Sequence, residues 1–380
     1  MTPGARISAA IEVLDRILAG QPAEQALLRW SRSSRFAGSG DRAAVRDLVF
    51  DALRCRNSHA ALGGALTGRG LMIGGLLASG QDPAALFTGQ GHAPAPLADG
   101  EGGGSADGVS DIPDWTRPLW DRSLGDCAEA VADAMRHRAP VWLRVNTVKA
   151  SPADAIRVLA GDGIAAEPDT RLATALRVTE NERRLSQSNA YRDGLVELQD
   201  LSPQLACAAL PVAAGMRVLD FCAGGGGKTL AMAGRADGLT LVAHDADPAR
   251  MRDLPQRAQR AGVKVRLDTD PSGGFDLVIA DVPCSGSGTW RRTPDSKWRL
   301  SQAMLDDLVA LQAAILRRAA RHVRPGGHLA YMTCSVLDPE NDAQVAAFLG
   351  ESPDFMPISR HLWTPLDASD GFFLALLARR

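Results

Sequence analysis

Short apolar segments alternate with helical segments from Gly215 onward, and this alternation restricts the fold more than any other feature of the sequence. The apolar segments predict strands over 216–221, 240–244, 263–267, 275–280 and 327–332, with a final pair at 355–358 and 371–378. The segments between them predict helices over about 227–235, 247–261 and 301–323. Strands and helices that alternate in this way form a doubly wound parallel sheet, so we expect an α/β fold.

Two regions of different character precede the alternating part. The first is predicted to be helical, because large apolar residues recur on one helix face at Ile7, Ile11 and Leu14. Its end, 91–111, is rich in Gly, Ala, Pro and Asp, a composition that predicts a flexible segment. The second region mixes strand and helix patterns. Since 380 residues exceed one hydrophobic core, we predict three domains, at 1–111, 112–205 and 206–380.

Composition excludes several classes of protein. The formal net charge is -2, so any nucleic-acid surface must be local. No apolar run approaches the roughly 18 residues of a membrane helix, and the amino-terminal segment lacks the apolar core of a signal peptide. We therefore expect a cytoplasmic protein without membrane contact. None of the six cysteines has the spacing of a zinc ligand, so no metal is expected.

The strongest candidate for chemistry follows the predicted strand 275–280. Asp281 ends this strand, Pro283 stops it and Cys284 comes next, at the edge where open α/β sheets bind ligands. A lone cysteine here is as often a buried core residue as a reactive one. The strand 327–332, however, delivers Cys334 to the same edge. Two cysteines at the ends of neighbouring predicted strands indicate a reactive site.

A glycine loop follows the first predicted strand of the alternating region. Cys222-Ala223-Gly224-Gly225-Gly226-Gly227-Lys228-Thr229 lacks the first glycine of a P-loop and the third glycine of a dinucleotide-binding motif. It therefore predicts nucleotide binding only in general terms. Asp245 ends the next strand, where an acid binds a ribose hydroxyl or caps the following helix. Asp268 or Asp270 could accept a hydrogen bond from an adenine amino group.

Basic residues in two places allow contact with nucleic acid. Arginines and tryptophans interleave in 290–299, a pattern that suits phosphate contact and base stacking but also fits an exposed helix terminus. We favour nucleic-acid contact there. In the amino-terminal region, a solvated helix face explains the basic residues more simply than an RNA-binding face does; these residues are Arg42, Arg46, Arg54 and Arg56.

The motifs together resemble the Nop/Sun family of RNA cytosine-5 methyltransferases, in its bacterial branch acting on 16S rRNA. Asp281-Val282-Pro283-Cys284-Ser285-Gly286-Ser287-Gly288 matches the family's Asp-Ala-Pro-Cys-Ser-Gly-Thr-Gly, and Thr333-Cys334-Ser335 with Glu340-Asn341 matches its Thr-Cys-Ser and Glu-Asn. Arg144-Val145-Asn146 and Gln199-Asp200-Leu201-Ser202 are similar to its upstream markers. The glycine loop departs from the family's Cys-Ala-Ala-Pro-Gly-Gly-Lys-Thr at Gly224 and Gly225, which puts cofactor affinity in doubt because glycine makes the loop harder to order.

The resemblance implies a fold, a cofactor and residue roles. It implies a Rossmann-like class I methyltransferase domain, an upstream α+β RNA-binding subdomain and a NusB-like helical RNA-binding domain, in a protein that we expect to be a monomer. Cys334 is implied to attack carbon 6 of cytosine, Cys284 to release the product and Asp281 to bind the base. S-adenosyl-L-methionine is implied as methyl donor, in contact with Cys222, Ala223, Gly224, Gly225, Gly226, Gly227, Lys228, Asp245, Asp268 and Asp281.

Three other functions are consistent with parts of the sequence. DNA cytosine-5 methyltransferases use the Pro-Cys thiol as nucleophile and lack the Thr-Cys thiol, so the presence of Cys334 disfavours them. A non-catalytic RNA-binding assembly protein could retain the cofactor site, and the altered glycine loop keeps this alternative open. A methyltransferase acting on tRNA would carry the same catalytic motifs.

Overall fold

The computed structural model describes residues 1–380, which divide into two compact units. The helical unit comprises Met1–Asp121, Gly125–Arg138 and Trp290–Leu300. The sheet unit comprises Arg122–Leu124, Ala139–Thr289 and Ser301–Arg380. The predicted three-domain division stays a prediction, although the chain clearly separates a helical part from a sheet-bearing part.

The helical unit is built on five consecutive helices that share one apolar core. They are α1 (Pro3–Leu18), α2 (Ala23–Ser33), α3 (Ser39–Arg54), α4 (Arg56–Gly63) and α5 (Gly68–Ala78). It also contains α7 (Ala128–Ala134), α13 (Pro294–Arg299) and the first part of α6 (Arg117–Leu124), whose last three residues are assigned to the sheet unit. The predicted apolar face of α1 packs inward, with Ile7 and Leu14 buried and Ile11 partly buried against the core. The helical character of this region is therefore as predicted.

The segment 91–111 contains no helix or strand, but side chains attach it to the helical unit. Arg69 donates hydrogen bonds to the Pro96 carbonyl at 2.9 Å and to the Glu101 carboxylate at 2.7 Å. At the other end, the Asp111 carboxylate accepts hydrogen bonds from the backbone N–H groups that begin α4. These contacts argue against the predicted flexibility, because each ties the segment to a helix.

The stretch 290–299 does not present its tryptophans to nucleic acid as predicted. Trp290 is 1% exposed and stacks on Trp120 within the helical unit, with ring centroids 5.7 Å apart. Lys297 is also 1% exposed and donates to the Arg54 carbonyl at 3.0 Å, and the Trp298 indole N–H donates to the Leu53 carbonyl. The interleaved pattern thus serves packing against α3, and the prediction of base stacking is wrong for Trp290.

Three of the four basic residues noted in the amino-terminal region also have partners inside the helical unit. Arg54 is buried and donates to the Arg291 carbonyl at 2.6 Å. Arg46 pairs with Glu24, and the Arg56 guanidinium lies 3.7 Å from the Trp298 ring centroid. These contacts favour a structural role, and RNA contact by this face stays a prediction.

The sheet unit is organised around a mostly parallel seven-stranded sheet of order β10-β11-β9-β8-β5-β6-β7. Its strands are β5 (Arg217–Asp220), β6 (Thr240–Ala243), β7 (Arg266–Leu267), β8 (Phe275–Asp281), β9 (Val323–Thr333), β10 (Phe355–Trp363) and β11 (Phe372–Arg379). Its helices are α11 (Gly227–Ala233), α12 (Leu254–Ala261), α14 (Gln302–Ala320) and α15 (Asp342–Glu351). Strands β5 to β9 run parallel, while β11 is antiparallel to β9 and to β10. The Rossmann-like sheet is therefore as predicted.

The central strand β8 has the composition that a parallel sheet requires. Leu277, Val278, Ile279 and Ala280 are all fully buried, since helices cover both faces. The chain order changes direction between β5 and its neighbours β6 and β8, which is the point where doubly wound sheets bind ligands. The predicted site residues follow the carboxyl ends of these strands.

A second, antiparallel sheet of order β2-β3-β1-β4 precedes the parallel one. Its strands are β1 (Trp142–Val145), β2 (Ala165–Pro168), β3 (Ala175–Glu180) and β4 (Val196–Leu198). The associated helices are α8 (Pro152–Gly161), α9 (Asn189–Arg192) and α10 (Leu201–Ala208). On the β1–β4 pair, Arg144 lies directly opposite Glu197. Both side chains are buried, so they require partners.

No single helix has the length and hydrophobicity to cross a membrane, although α4 and α5, bent by 92°, satisfy the length and composition criteria as a pair. Much of α5 is buried in the core of the helical unit. No group of three or more His, Cys, Asp and Glu side chains is arranged to hold a metal ion.

Candidate active site

The two cysteines predicted to share an edge of the sheet lie in contact. Strands β8 and β9 are parallel neighbours, and Asp281 pairs in register with Met332. The loops that follow them place the Cys284 and Cys334 sulfur atoms 3.2 Å apart. This juxtaposition is what the sequence predicted from two strand ends.

The two thiols are not equivalent. A hydrogen bond from the Cys284 thiol lowers the pKa of Cys334, and the nearby Lys228 cation lowers it further, while burial and carboxylates oppose both effects. The same hydrogen bond, together with burial, raises the pKa of Cys284. The opposite shifts favour ionisation of Cys334 over Cys284, and since a thiolate is the stronger nucleophile, they favour Cys334 as the attacking group.

Lys228 and Asp281 form an ion pair beside the two sulfur atoms. Lys228 lies in the first turn of α11, and its ammonium group contacts the Asp281 carboxylate at the end of β8. Burial disfavours the lysine cation, but the Asp281 carboxylate outweighs burial and raises the pKa of Lys228. Lys228 therefore stays charged, and it fixes the position of Asp281 next to the cysteines.

A buried carboxylate, Glu340, ties the two cysteine loops together. It is fully buried and accepts hydrogen bonds from the Ser285 backbone N–H at 2.7 Å and from the hydroxyls of Ser285 and Ser335. Gln312 on α14 donates to it as well, at 2.9 Å. Because Ser285 follows Cys284 and Ser335 follows Cys334, one carboxylate sets the spacing of both sulfur atoms.

Two further contacts hold these loops. Asn341 accepts from the Thr333 hydroxyl at 2.6 Å and donates to the Ser335 carbonyl at 3.0 Å, so it closes the turn around Cys334. Gly288 lies so close to Gly371 that an added Cβ would be 2.2 Å from the Gly371 carbonyl oxygen. The sequence analysis recognised Glu340-Asn341 only as part of a motif and did not assign this supporting role.

The glycine loop has a conformation that depends on glycine. Gly224 and Gly226 have φ values of 48° and 79°, which other residues adopt at a cost. A Cβ at Gly226 would also lie 2.1 Å from a methyl carbon of Leu254. The loop therefore passes close to α12 and turns directly into α11.

Acidic side chains surround this loop. Asp245, at the end of β6, is 3% exposed and accepts hydrogen bonds from the backbone N–H groups of Gly224 and Asp247, each at 3.0 Å. Asp220 accepts from Thr229, yet its other oxygen has no partner, and burial raises the pKa of Asp220 to about 6. The structure thus brings Asp245 to the loop, where it binds two backbone N–H groups. The cap of the following 3-10 helix is Asp247, and the ribose role of Asp245 stays a prediction.

The remaining predicted residues differ in how closely they approach the site. Cys222 is half-buried, and burial raises its pKa, so its thiol suits packing better than chemistry. Ala223 is buried, and its N–H donates to the His244 carbonyl. Asp268 follows β7, where its carboxylate pairs with Arg266 and accepts from the Asp270 N–H. Asp270 is exposed, so Asp268 is the better placed of the two acids.

The donor set fits a cationic nucleotide-like cofactor. The loop offers backbone N–H groups, and the carboxylates of Asp220, Asp245 and Asp281 stand at three adjacent strand ends. Such carboxylates favour hydroxyl, ammonium and sulfonium groups over phosphates. This acidity agrees with the absence of a P-loop motif in the sequence.

Comparison with known proteins identifies the family. Residues 207–378 match the family model described as "16S rRNA methyltransferase RsmB/F", and residues 112–183 match the RsmF/B-like ferredoxin-like domain. A solved protein named PH0851 superposes over 99% of each chain with a TM-score of 0.76 at 23% identity, which shows a shared fold.

Curated relatives carry the same family name. The ribosomal RNA small subunit methyltransferase B of Xanthomonas campestris is 36% identical over 70% of this chain and 66% of its own length. The protein of the same name from Cronobacter sakazakii is 33% identical over 70% of this chain and 67% of its own length. The chain thus spans about two thirds of the length of these relatives. On these matches, the chain belongs to the RsmB/F family of 16S rRNA methyltransferases.

Proposed function

We propose that this protein transfers a methyl group from S-adenosyl-L-methionine to carbon 5 of a cytosine in 16S rRNA, in the cytoplasm. The contact between Cys284 and Cys334, with the pKa of Cys334 lowered, carries the proposal. A second thiol would be superfluous in an enzyme that used only the Pro-Cys nucleophile. The names of the curated relatives support rRNA as the substrate rather than tRNA.

Cys334 starts the reaction. Carbon 5 of cytosine is a weak nucleophile, and addition of the Cys334 thiolate to carbon 6 forms a sulfur–carbon bond that moves an electron pair towards carbon 5. When bound, S-adenosylmethionine supplies an electrophilic methyl group, which carbon 5 attacks. Once Cys334 is bonded to carbon 6, Cys284 loses its proton to solvent. Transfer of the carbon 5 proton to the Cys284 thiolate then returns the electron pair to the ring and expels Cys334 as a thiolate.

Asp281 and Lys228 act on the base. Negative charge builds up in the pyrimidine ring as Cys334 adds. The Asp281 carboxylate accepts a hydrogen bond from the N4 amino group and so orients the base, while the Lys228 cation beside it offsets the charge. The ion pair with Lys228 keeps the Asp281 carboxylate in place before the base arrives. Preorganisation of this kind removes the cost of orienting the group during the reaction.

Cys284 serves product release. Its sulfur is 3.2 Å from that of Cys334, so it lies beside the carbon 6 adduct once the bond has formed. The hydrogen bond with Cys334 and burial raise the pKa of Cys284, which favours one thiolate in the pair rather than two. We assign elimination of the adduct to Cys284.

The cofactor residues are the glycine loop and the acids around it. The backbone of 222–228 would hold the cofactor, with Asp245 at the ribose hydroxyls and Asp268 at the adenine amino group. A cytosine that is paired and stacked cannot reach Cys334, so the target base must be unpaired or flipped out of its helix.

The direct test is methyl transfer to RNA. Purified protein with tritiated S-adenosylmethionine should label unmodified 16S rRNA at carbon 5 of a cytosine, located by bisulfite sequencing. tRNA from the same strain serves as the comparison substrate. Labelling of tRNA alone would replace rRNA as the substrate, and cofactor binding without labelling of any RNA would favour a non-catalytic assembly protein.

A further inference from the structure

Two arginine side chains form hydrogen bonds with the backbone of the glycine loop. The Arg257 guanidinium on α12 donates a hydrogen bond to the Gly225 carbonyl. The Arg144 guanidinium on β1 donates to the Gly227 carbonyl at 2.8 Å. A glycine loop that would otherwise sample many conformations is therefore held at two carbonyls by charged donors.

Both arginines are themselves held by the small antiparallel sheet. Glu197 on β4 is 2% exposed and accepts from Arg257 at 2.9 Å and from Arg260. Arg144, directly opposite Glu197 on β1, also donates to the Gln199 side chain. The β1–β4 edge thus supports the loop through buried ionic and polar contacts.

The space taken by Arg257 is available because residue 225 is glycine. A Cβ at Gly225 would lie 2.9 Å from the Arg257 Nη1 atom, so the guanidinium would have to shift to admit it. Gly225 does not have a positive φ, so its backbone does not itself require glycine. A side chain at 225 would therefore compete with the position that the Arg257 guanidinium now takes.

We propose that Arg257, oriented by Glu197, and Arg144 are positioning residues that hold the glycine loop in its cofactor-binding conformation. The two arginines restrict the backbone of the loop as a conformationally restricted residue at 225 would. This restriction matters because ordering a glycine backbone costs conformational entropy. The α+β region therefore contributes to cofactor affinity without touching the cofactor. This inference rests on the proposed function, because the cofactor is the ligand of the loop.

The first test compares binding of S-adenosylhomocysteine by calorimetry. Arg257→Ala should weaken binding roughly tenfold, since ordering about one backbone residue now opposes binding. Arg257→Lys should lie between, because lysine cannot donate to Gly225 and Glu197 through one planar fork. Arg252→Ala is the matched control: Arg252 precedes the same helix, its side chain is 84% exposed, and its removal should leave the affinity unchanged.

The kinetic readout separates positioning from general damage. Arg257→Ala should raise the KM for S-adenosylmethionine and leave kcat at saturating cofactor nearly unchanged. A variant that only destabilised the fold would instead lower kcat and the melting temperature together.

A double-mutant cycle tests the shared space directly. Gly225→Ala alone should weaken cofactor binding because it displaces Arg257. In the Arg257→Ala background, Gly225→Ala should not weaken cofactor binding, because no guanidinium remains to be displaced. The alanine also reduces the number of conformations that the free loop can adopt. If Arg257→Ala does not fold, the cycle is measured with Arg257→Lys instead. The ammonium group of lysine is smaller than a guanidinium and leaves room for a Cβ at 225.

The outcomes distinguish this inference from the proposed function. If the unaltered protein does not bind S-adenosylhomocysteine, the proposed function is overturned, and the inference with it. If it binds and Arg257→Ala binds equally well, or if Gly225→Ala weakens binding by the same factor in both backgrounds, the positioning role alone is wrong.

Discussion

Removing the Glu340 carboxylate should loosen both cysteine loops at once. In Glu340→Ala the buried backbone N–H of Ser285 loses its acceptor, while the hydroxyls of Ser285 and Ser335 can rotate towards each other at their present 3.4 Å separation. A buried donor without a partner costs about 1–3 kcal/mol, and the cavity adds to this cost. We expect a total loss of about 2–5 kcal/mol in the free energy of unfolding.

This loss is measurable as a melting temperature. For a unit of this size each kcal/mol corresponds to about 2–4 °C, so Glu340→Ala should melt roughly 5–15 °C lower in scanning calorimetry. Glu340→Gln keeps the shape and one acceptor oxygen, and it should lose less. Glu351→Ala, on α15, removes a half-exposed carboxylate that pairs only with Arg317 at 3.2 Å, so it serves as the surface control. Equal melting of Glu340→Ala and Glu351→Ala would refute the supporting role of Glu340.

Three further predictions concern charge, cofactor and packing. Lys228→Gln removes a cation that lowers the pKa of Cys334. Because the thiolate is lost as pH falls through this pKa, alkylation of Cys334 by iodoacetamide should begin at higher pH in the variant. An unchanged pH profile would show that Lys228 does not lower the pKa of Cys334. Asp245→Ala should weaken binding of S-adenosylhomocysteine by about 1–3 kcal/mol, whereas Asp247→Ala, at an exposed neighbouring carboxylate, should not. A protein beginning at Ile112 should aggregate, because Trp298 and Lys297 lose their partners Leu53 and Arg54; a soluble, monomeric product in sedimentation would contradict this packing.

The sequence predicted the parts of the fold that depend on local pattern. The parallel strands β5, β6 and β8 lie where apolar runs indicated them, because buried strands must be apolar on both faces. The cysteine pair followed from the same reasoning, since the ends of adjacent parallel strands meet at one edge. Strand β2, half-exposed and containing a proline, carried no such pattern and was missed.

What could not be predicted depends on contacts between distant segments. Glu340 is 55 residues from Ser285, with which it shares a hydrogen bond, and nothing local distinguishes it from a surface acid. The stretch 290–299 has the composition of a nucleic-acid surface. Its side chains instead pack against Trp120 and α3, which lie far away in the chain. The partners of Arg257 and Arg144 likewise appear only when the antiparallel sheet and the glycine loop are both in place.

The central claim is that the two cysteines act on one cytosine in different steps. Cys334→Ala removes the attacking thiolate, so it should form no covalent complex with RNA and transfer no methyl group. Cys284→Ala should still attack and transfer methyl, and then stall at the adduct.

A denaturing gel measures this difference directly, with labelled 16S rRNA, the cofactor and each variant in turn. The account predicts a shifted protein–RNA band with Cys284→Ala and none with Cys334→Ala. The control Cys127→Ala, a cysteine of the helical unit, should turn over without a persistent band. A shifted band with Cys334→Ala and none with Cys284→Ala would contradict the account and make Cys284 the nucleophile.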